Sequence, residues 1–400
     1  MHVRWCARGL SITLVLTCVA AGLLVNADEK AATQPSGPTT APGTAAIRNV
    51  QWKTLAELLE AARGTAGLPA LAAAVAQGDR VVDVAAVGVR RIDQSNAVEA
   101  TDCFHIGSIT KAMTATMIAR LVEEGLLRWD LTLREALPDV GMRPEYKAVT
   151  LGQLLHHRGG IRPYTDRGLE DASADVKALK TATEQRRAFV AQVLSEAPRT
   201  PVGEYAYSNA GYTIAGHIAE RVARRPWEDL LRENVFRPLR LASASFGWPV
   251  TSERSDAPWG HWGTPPDLEP QVPGVYDLGW YLAPAGDVQC TVEDLVRFGM
   301  FHVRGLRGAD GWLKAETIRR LHQPPTADGM GYACGWVVGK PEGERLRHWH
   351  NGSAGTFFAL LVIYPDDDVV VAVVTNAGPL AESAVEQVAA AIAERYVSKQ

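Results

Sequence analysis

Cysteine is scarce in this chain: five occur in 400 residues, and two of them, Cys6 and Cys18, fall in the N-terminal apolar segment. The other three, Cys103, Cys290 and Cys334, are odd in number and match no zinc spacing, which argues against a dense disulfide framework and a cysteine-based zinc site. They read as buried free thiols, with one bridged pair as the alternative. An excess of positive charge is also missing. Lys and Arg total 41 against 45 Asp and Glu, a formal net charge of −4. That leaves no basic stripe of the kind nucleic-acid binders carry. No internal repeat is present, and Gly 36 with Pro 23 is ordinary usage, so most of the chain is globular.

What is present is ample apolar material. Hydrophobic residues make up 46% of the sequence, enough for a large core. The first residues differ from the rest. Arg4 and Arg8 precede an apolar run from Leu10 to Val25, and a small-residue cleavage site stands at Val25-Asn26-Ala27. Residues 1–27 read as a signal peptide, with an uncleaved membrane anchor as the alternative. The expected location is therefore periplasmic or extracellular, free or membrane-anchored. Residues 28–46 are rich in Pro, Thr and Ala without periodicity and read as a disordered tether.

From Val50 the pattern becomes structural. VQWKTLAELLEAARG carries helical apolar spacing and ends in Gly64. Two short strands follow around Gln77-Gly78-Asp79-Arg80, a hairpin signal. The stretch after Ser108 is apolar nearly all round, as a buried helix is. The middle is helical where regular, and between Phe246 and Pro284 irregular loops packed on aromatics are expected. GYACGWVVG, RLRHWHN, TFFALLVIYP and DVVVAVVTNA are four β-rich runs, with a turn at Asp366-Asp367-Asp368, and an amphipathic helix closes the chain. The simplest assembly is an α+β fold. Residues 47–400 form one domain, with an antiparallel sheet from both ends (about 47–130 and 290–400) and a helical subdomain at about 131–289.

Four stretches carry possible chemistry. Ser108-Ile109-Thr110-Lys111 puts a hydroxyl and an amine on one helical face. The helix start favours an emerging alkoxide, and an apolar helix favours a neutral amine, so the pair suits a nucleophile with its own base. The bland alternative is a serine N-cap beside a solvated lysine. In TPVGEYAYSNAGY, Tyr207 would move protons, and Asn209 would hold Lys111 and a substrate carbonyl; otherwise the tyrosine fills core and the asparagine caps a helix beginning near Ala210. His348 and His350 share one strand face. They lack a third metal ligand at recognisable spacing, and Gly352 beyond them permits close approach of a ligand to the backbone. TLGQLLHHRGGI reads as a helix with a glycine stop, His156 and His157 capping carbonyls or packing on a cleft wall.

The order of these motifs resembles the serine β-lactamase and penicillin-binding-protein superfamily, in particular its class C-like branch of carboxypeptidases, D-aminopeptidases and carboxylesterases. The supporting segments are LLHHRGGI, PVGEYAYSNAGY and GDVQCTVEDLVRF, and the resemblance runs from about Trp52 to Tyr396. It implies an antiparallel sheet flanked by helices, an all-helical subdomain, and a cleft between them. It further implies Ser108 as the acylated nucleophile, Lys111 as its activator, Tyr207 as general acid/base and Asn209 as a positioning group. His350, Gly352 and Ser353 would contact substrate, the Ser108 and Ser353 amides receiving the oxyanion. No cofactor or metal is implied. The expected substrate is a small-molecule or peptide-like acyl compound, and the alternative is an inactive binding protein of the same fold. Arg158 replaces the usual Ser/Thr of its segment. His350 replaces the lysine of typical lactamases and is mostly neutral at pH 7, which favours a peptidase or esterase.

Overall fold

The computed structural model describes residue 47 and residues 50–165, 171–340 and 345–398. The expected export segment and tether lie outside them. In chain order the strands are β1 Ala70–Gln77, β2 Arg80–Gly88, β3 Cys103–His105, β4 Ser245–Phe246, β5 His261–Thr264 and β6 Asp267–Pro270. Then come β7 Val288–Thr291, β8 Gly331–Tyr332, β9 Val337–Gly339, β10 Arg347–Ser353, β11 Phe358–Tyr364 and β12 Val369–Thr375. The α-helices of five or more residues are α1 Leu55–Ala66, α2 Thr110–Glu123, α3 Leu151–Leu155, α4 Ala182–Ser195 and α5 Asn209–Ala223. They continue with α6 Trp227–Leu231, α7 Val292–Leu306, α8 Ala315–Leu321 and α9 Glu382–Tyr396.

Seven strands form one antiparallel sheet in the order β2-β1-β12-β11-β10-β9-β8. Both ends of the chain therefore build it, and β1 joins them by pairing Leu71 with Thr375 and Gln77 with Val369. The first hairpin closes on Gly78-Asp79, since Gln77 pairs with Arg80. Strand alternation sorts the core. Ala70, Ala72 and Ala74 face the helical side with Val370, Ala372 and Val374, whereas Leu71, Ala73 and Val75 join Val371 and Val373 under α1 and α9. Both faces are covered, which is why these strands read as continuous apolar runs.

Local signals set most boundaries. A Thr54–Glu57 capping box starts α1. The helix runs through Gly64, where the sequence suggested its end, and stops at Gly67 with φ 64°. The segment between Phe246 and Pro284, expected as irregular loops, also contains the β5–β6 hairpin. The inserted segment is mainly helical. Its buried Arg186 binds Glu220 at 2.7 Å and Glu228 at 2.8 Å, tying α4, α5 and α6 together.

A second sheet, ordered β3-β7-β4, positions the chemistry. β3 runs directly into a 3₁₀ turn, Gly107–Ile109, and then into α2. As the sequence indicated, α2 is buried nearly all round: Thr110 through Ala119 are all enclosed. Cys103, Cys290 and Cys334 are free thiols, the first half-buried and the other two buried, so no bridged pair forms among them.

Candidate active site

Ser108 lies on the 3₁₀ turn and Lys111 in the first turn of α2. The turn leaves the serine side chain out of helix capping, since no side-chain cap exists at either helix start. The hydroxyl instead meets the lysine, with Nζ 3.0 Å from Ser108 Oγ. The same nitrogen lies 2.7 Å from Asn209 Oδ1 and 2.8 Å from the Ala285 carbonyl oxygen. Two of these three partners accept only. A neutral amine has two hydrogens and one lone pair, so donating to both carbonyl oxygens leaves the lone pair for the Ser108 hydroxyl proton. Burial supports the neutral form. Lys111 is 0% exposed, and desolvation holds its pKa well below the usual lysine range.

Asn209 is free for this task because Ser208 is the N-cap of α5, accepting the Gly211 N–H at 3.0 Å. The expected cap is displaced by one residue. The Asn209 amide also donates to the Tyr164 carbonyl at 2.9 Å, which fixes the direction of Oδ1. Thr114 and Trp227 secure the other side. Thr114 Oγ1 donates to the Pro284 carbonyl at 2.8 Å and accepts from Trp227 Nε1 at 3.2 Å, holding the Pro284–Ala285 segment against α2.

Tyr207 is half-buried near Ser108. Burial raises its pKa above the usual phenol value, and the nearby Ser108 hydroxyl only partly opposes this. It is thus a protonated phenol near neutral pH and suits proton donation better than standing service as a base.

The edge of β10 closes the site. A Cβ on Gly352 would lie 2.0 Å from the Ile106 carbonyl oxygen and 2.7 Å from the Ser108 nitrogen. One on Gly107, at φ 51°, would lie 2.5 Å from the Ser353 nitrogen. The two backbone segments touch because both positions are glycine, and this brings Ser108 and Ser353 onto facing stretches of chain. Beyond Ser353, Gly355 packs on Tyr276 and Trp262, and Tyr276 stacks on Trp248 at 5.7 Å.

His350 is enclosed. The residue is 3% exposed, its Nε2 lies 3.1 Å from the Tyr332 hydroxyl, and its Nδ1 contacts the Asn351 carbonyl. Burial first and then Lys111 push its pKa down to about 3, so it is a neutral wall group near pH 7. His348 diverges from it despite sharing a strand face, since its Nδ1 meets His322 Nδ1 at 2.9 Å. The site also holds a residue that the sequence does not single out: Tyr332, which carries no motif and lies on the short strand β8. His157, whose sequence context reads as structural, has its ring 4.3 Å from that of Tyr207.

Comparison with known proteins gives concordant likenesses. The Beta-lactamase family model matches residues 55–394. The chain is 29% identical over 309 residues to "Penicillin-binding protein 4" of Amycolatopsis lactamdurans, covering 73% of this chain and 77% of that protein. Among solved structures it resembles a class C β-lactamase from Rhodobacter sphaeroides with TM-score 0.66 and 20% identity, over 84% of this chain and 99% of the other. It also resembles a D-stereospecific amidohydrolase from Streptomyces with TM-score 0.64 and 21% identity, over 83% and 96%. With the family model spanning nearly the whole described chain and the fold shared with these structures, the protein belongs to the Beta-lactamase family.

Proposed function

We propose that the protein is an exported serine hydrolase that acts on an amide or ester carbonyl through an acyl-Ser108 intermediate. The observation that carries this reading is the buried Lys111 Nζ, which lies 2.7 Å from Asn209 Oδ1, 2.8 Å from the Ala285 carbonyl oxygen and 3.0 Å from Ser108 Oγ, so that a neutral amine donating to the two carbonyl oxygens turns its lone pair to the serine.

In the proposed first step the Ser108 proton moves to Lys111 Nζ as Oγ bonds to the substrate carbonyl carbon. The carbonyl oxygen takes up the charge between the Ser108 and Ser353 amides. Tyr207 then protonates the leaving amine or alkoxide as its bond to the carbonyl carbon breaks, and recovers a proton from the Lys111 ammonium. Water or an amine releases the acyl group by the reverse sequence. Asn209 positions Lys111 and contacts substrate, and Gly352 lets the substrate approach the β10 backbone.

The neutral His350 supports a substrate whose recognition needs no cation at that position, as in a short acyl ester or a D-amino-acid amide. The D-stereospecific amidohydrolase among the structural neighbours is consistent with this class. The Arg4, Arg8 and Leu10 to Val25 pattern supports export, with delivery to the periplasm or the medium.

A fluorophosphonate or fluorescent penicillin label on the 47–400 fragment tests the reading. Labelling of wild type and none of Ser108→Ala is the expected result. No labelling of either by both probes would favour an inactive binding protein of the same fold. A panel of penams, D-alanyl peptides, short acyl esters and lactones then assigns the substrate.

A further inference from the structure

α3 ends in a turn whose geometry is unusual for its sequence. The His157 N–H donates to the Leu154 carbonyl at 3.0 Å, and the Arg158 N–H donates to the Gln153 carbonyl at 2.7 Å. This is a Schellman closure, with His157 at the left-handed position, φ 57°. Glycine is the usual occupant there, and a side chain is strained in that conformation. The glycine stop expected from the sequence stands two and three residues later, at Gly159 and Gly160.

The strained position delivers an imidazole beneath Tyr207. The His157 carbonyl accepts the Ala206 N–H at 2.8 Å, and His157 Nδ1 accepts the Ser208 N–H at 3.1 Å. The Ala206 N–H belongs to the 205–206 peptide and the Ser208 N–H to the 207–208 peptide, so one histidine holds the backbone before and after Tyr207. The ring also packs 4.3 Å from the Tyr207 ring, with Tyr332 at 4.5 Å and Tyr212 at 5.2 Å closing round it.

The hydrogen bonding fixes the tautomer. An Nδ1 that accepts is unprotonated, so the neutral ring carries its proton on Nε2. That nitrogen is buried and has no hydrogen-bond partner among the described residues. A buried, unmatched donor on a strained backbone is a poor choice for stability alone.

We propose that His157 is a positioning residue that fixes the Tyr207 phenol over Ser108 by holding the backbone N–H groups of Ala206 and Ser208, the residues on either side of it. The proposal rests on Tyr207 serving as the proton donor of the reaction above.

The test compares kcat and KM for a p-nitrophenyl ester in wild type, His157→Gly, His157→Asn, Tyr207→Phe and the His157→Gly/Tyr207→Phe double variant. Glycine suits the left-handed turn, so its loss of function is not a loss of the turn. Asparagine tolerates that backbone and offers Oδ1 near the place of Nδ1. His157→Gly lowers kcat roughly 10- to 100-fold through misplacement of Tyr207, with KM changed by less than about threefold. His157→Asn recovers kcat to within about fivefold of wild type. In the Tyr207→Phe background His157→Gly adds almost nothing, because the two act as one unit. Equal losses in both backgrounds, or a wild-type kcat in His157→Gly, overturn the proposal. If Tyr207→Phe alone turns over normally, the assignment of Tyr207 fails and the positioning role falls with it. If Tyr207→Phe is slow but the losses add, only the positioning role fails.

Discussion

Asn209 Oδ1 and Lys111 Nζ lie 2.7 Å apart across 98 residues of sequence. An amide oxygen at that distance orients the amine without charging it, whereas a carboxylate would stabilise the ammonium. Asn209→Asp therefore moves the acid limb of the kcat–pH profile to higher pH, and lowers kcat at pH 7 by roughly a hundredfold. An unshifted limb in a folded variant would remove Asn209 from control of the base.

Lys111→Ala and Tyr207→Phe each remove a proton-transfer partner of Ser108 in the proposed mechanism. Turnover of a p-nitrophenyl ester falls by roughly a hundredfold or more in either variant. A near-normal rate in one of them would refute the role assigned to that residue.

Gly352→Ala tests the contact between β10 and the nucleophile's turn. The new methyl group would stand 2.0 Å from the Ile106 oxygen, so the segments must separate. Stability falls by about 1–3 kcal/mol, and kcat falls roughly a hundredfold as the two amides part. Wild-type kcat with an unchanged melting temperature would mean that the segments are not closely apposed in solution.

The neutral Lys111 also has a thermodynamic signature. Its folded pKa is lowered well below that of the unfolded chain, so from that lowered value up to the unfolded value, about 10.4, the unfolded state binds a proton that the native state does not. Stability from this group therefore rises with pH by about 1.4 kcal/mol per unit. The window closes near pH 10, where the unfolded chain's tyrosines ionise while burial keeps Tyr212 and Tyr332 protonated, so stability then falls. Urea unfolding of wild type and Lys111→Met at pH 7, 8 and 9 checks this. The slope is lost in the variant; identical slopes would place a charged lysine in the native state.

Arg186→Leu leaves Glu220 buried without its cation. Unfolding free energy falls by about 3–5 kcal/mol, read by urea denaturation. A change below about 1 kcal/mol would mean that water or His217 already compensates the carboxylate.

Much of the architecture and most of the site are legible in the amino-acid sequence. Strand-forming runs and the Gly78-Asp79 turn signal mark the hairpin, and the oily stretch after Ser108 marks a buried helix. Ser108, Lys111, Tyr207 and Asn209 stand out because their order along the chain matches a known series. Tyr332 does not, because a tyrosine on a two-residue strand has no spacing to distinguish it. His350 stands out as a neutral imidazole, but its enclosure against Tyr332 does not, because a sequence shows a residue type and not its surroundings. His157 is visible as a capping or cleft-wall residue, but its hold on the Tyr207 segment is not, because a left-handed histidine follows from tertiary hydrogen bonds and local propensity puts glycine there.

The pairing of β1 with β12 has a temporal consequence. β12 joins the N-terminal hairpin to β11 and β10, and β10 supplies the edge against which the Ser108 turn rests. During synthesis the β1–β2 hairpin has no partner on the free edge of β1 until the last stretch of the chain has emerged. Ser108 and Lys111 can form their turn early, but the opposing amide of Ser353 arrives only when the sheet closes. Under the proposed mechanism, acylation of Ser108 reports completed folding, and a chain that ends before Val369 carries Ser108 and Lys111 without the facing Ser353 amide.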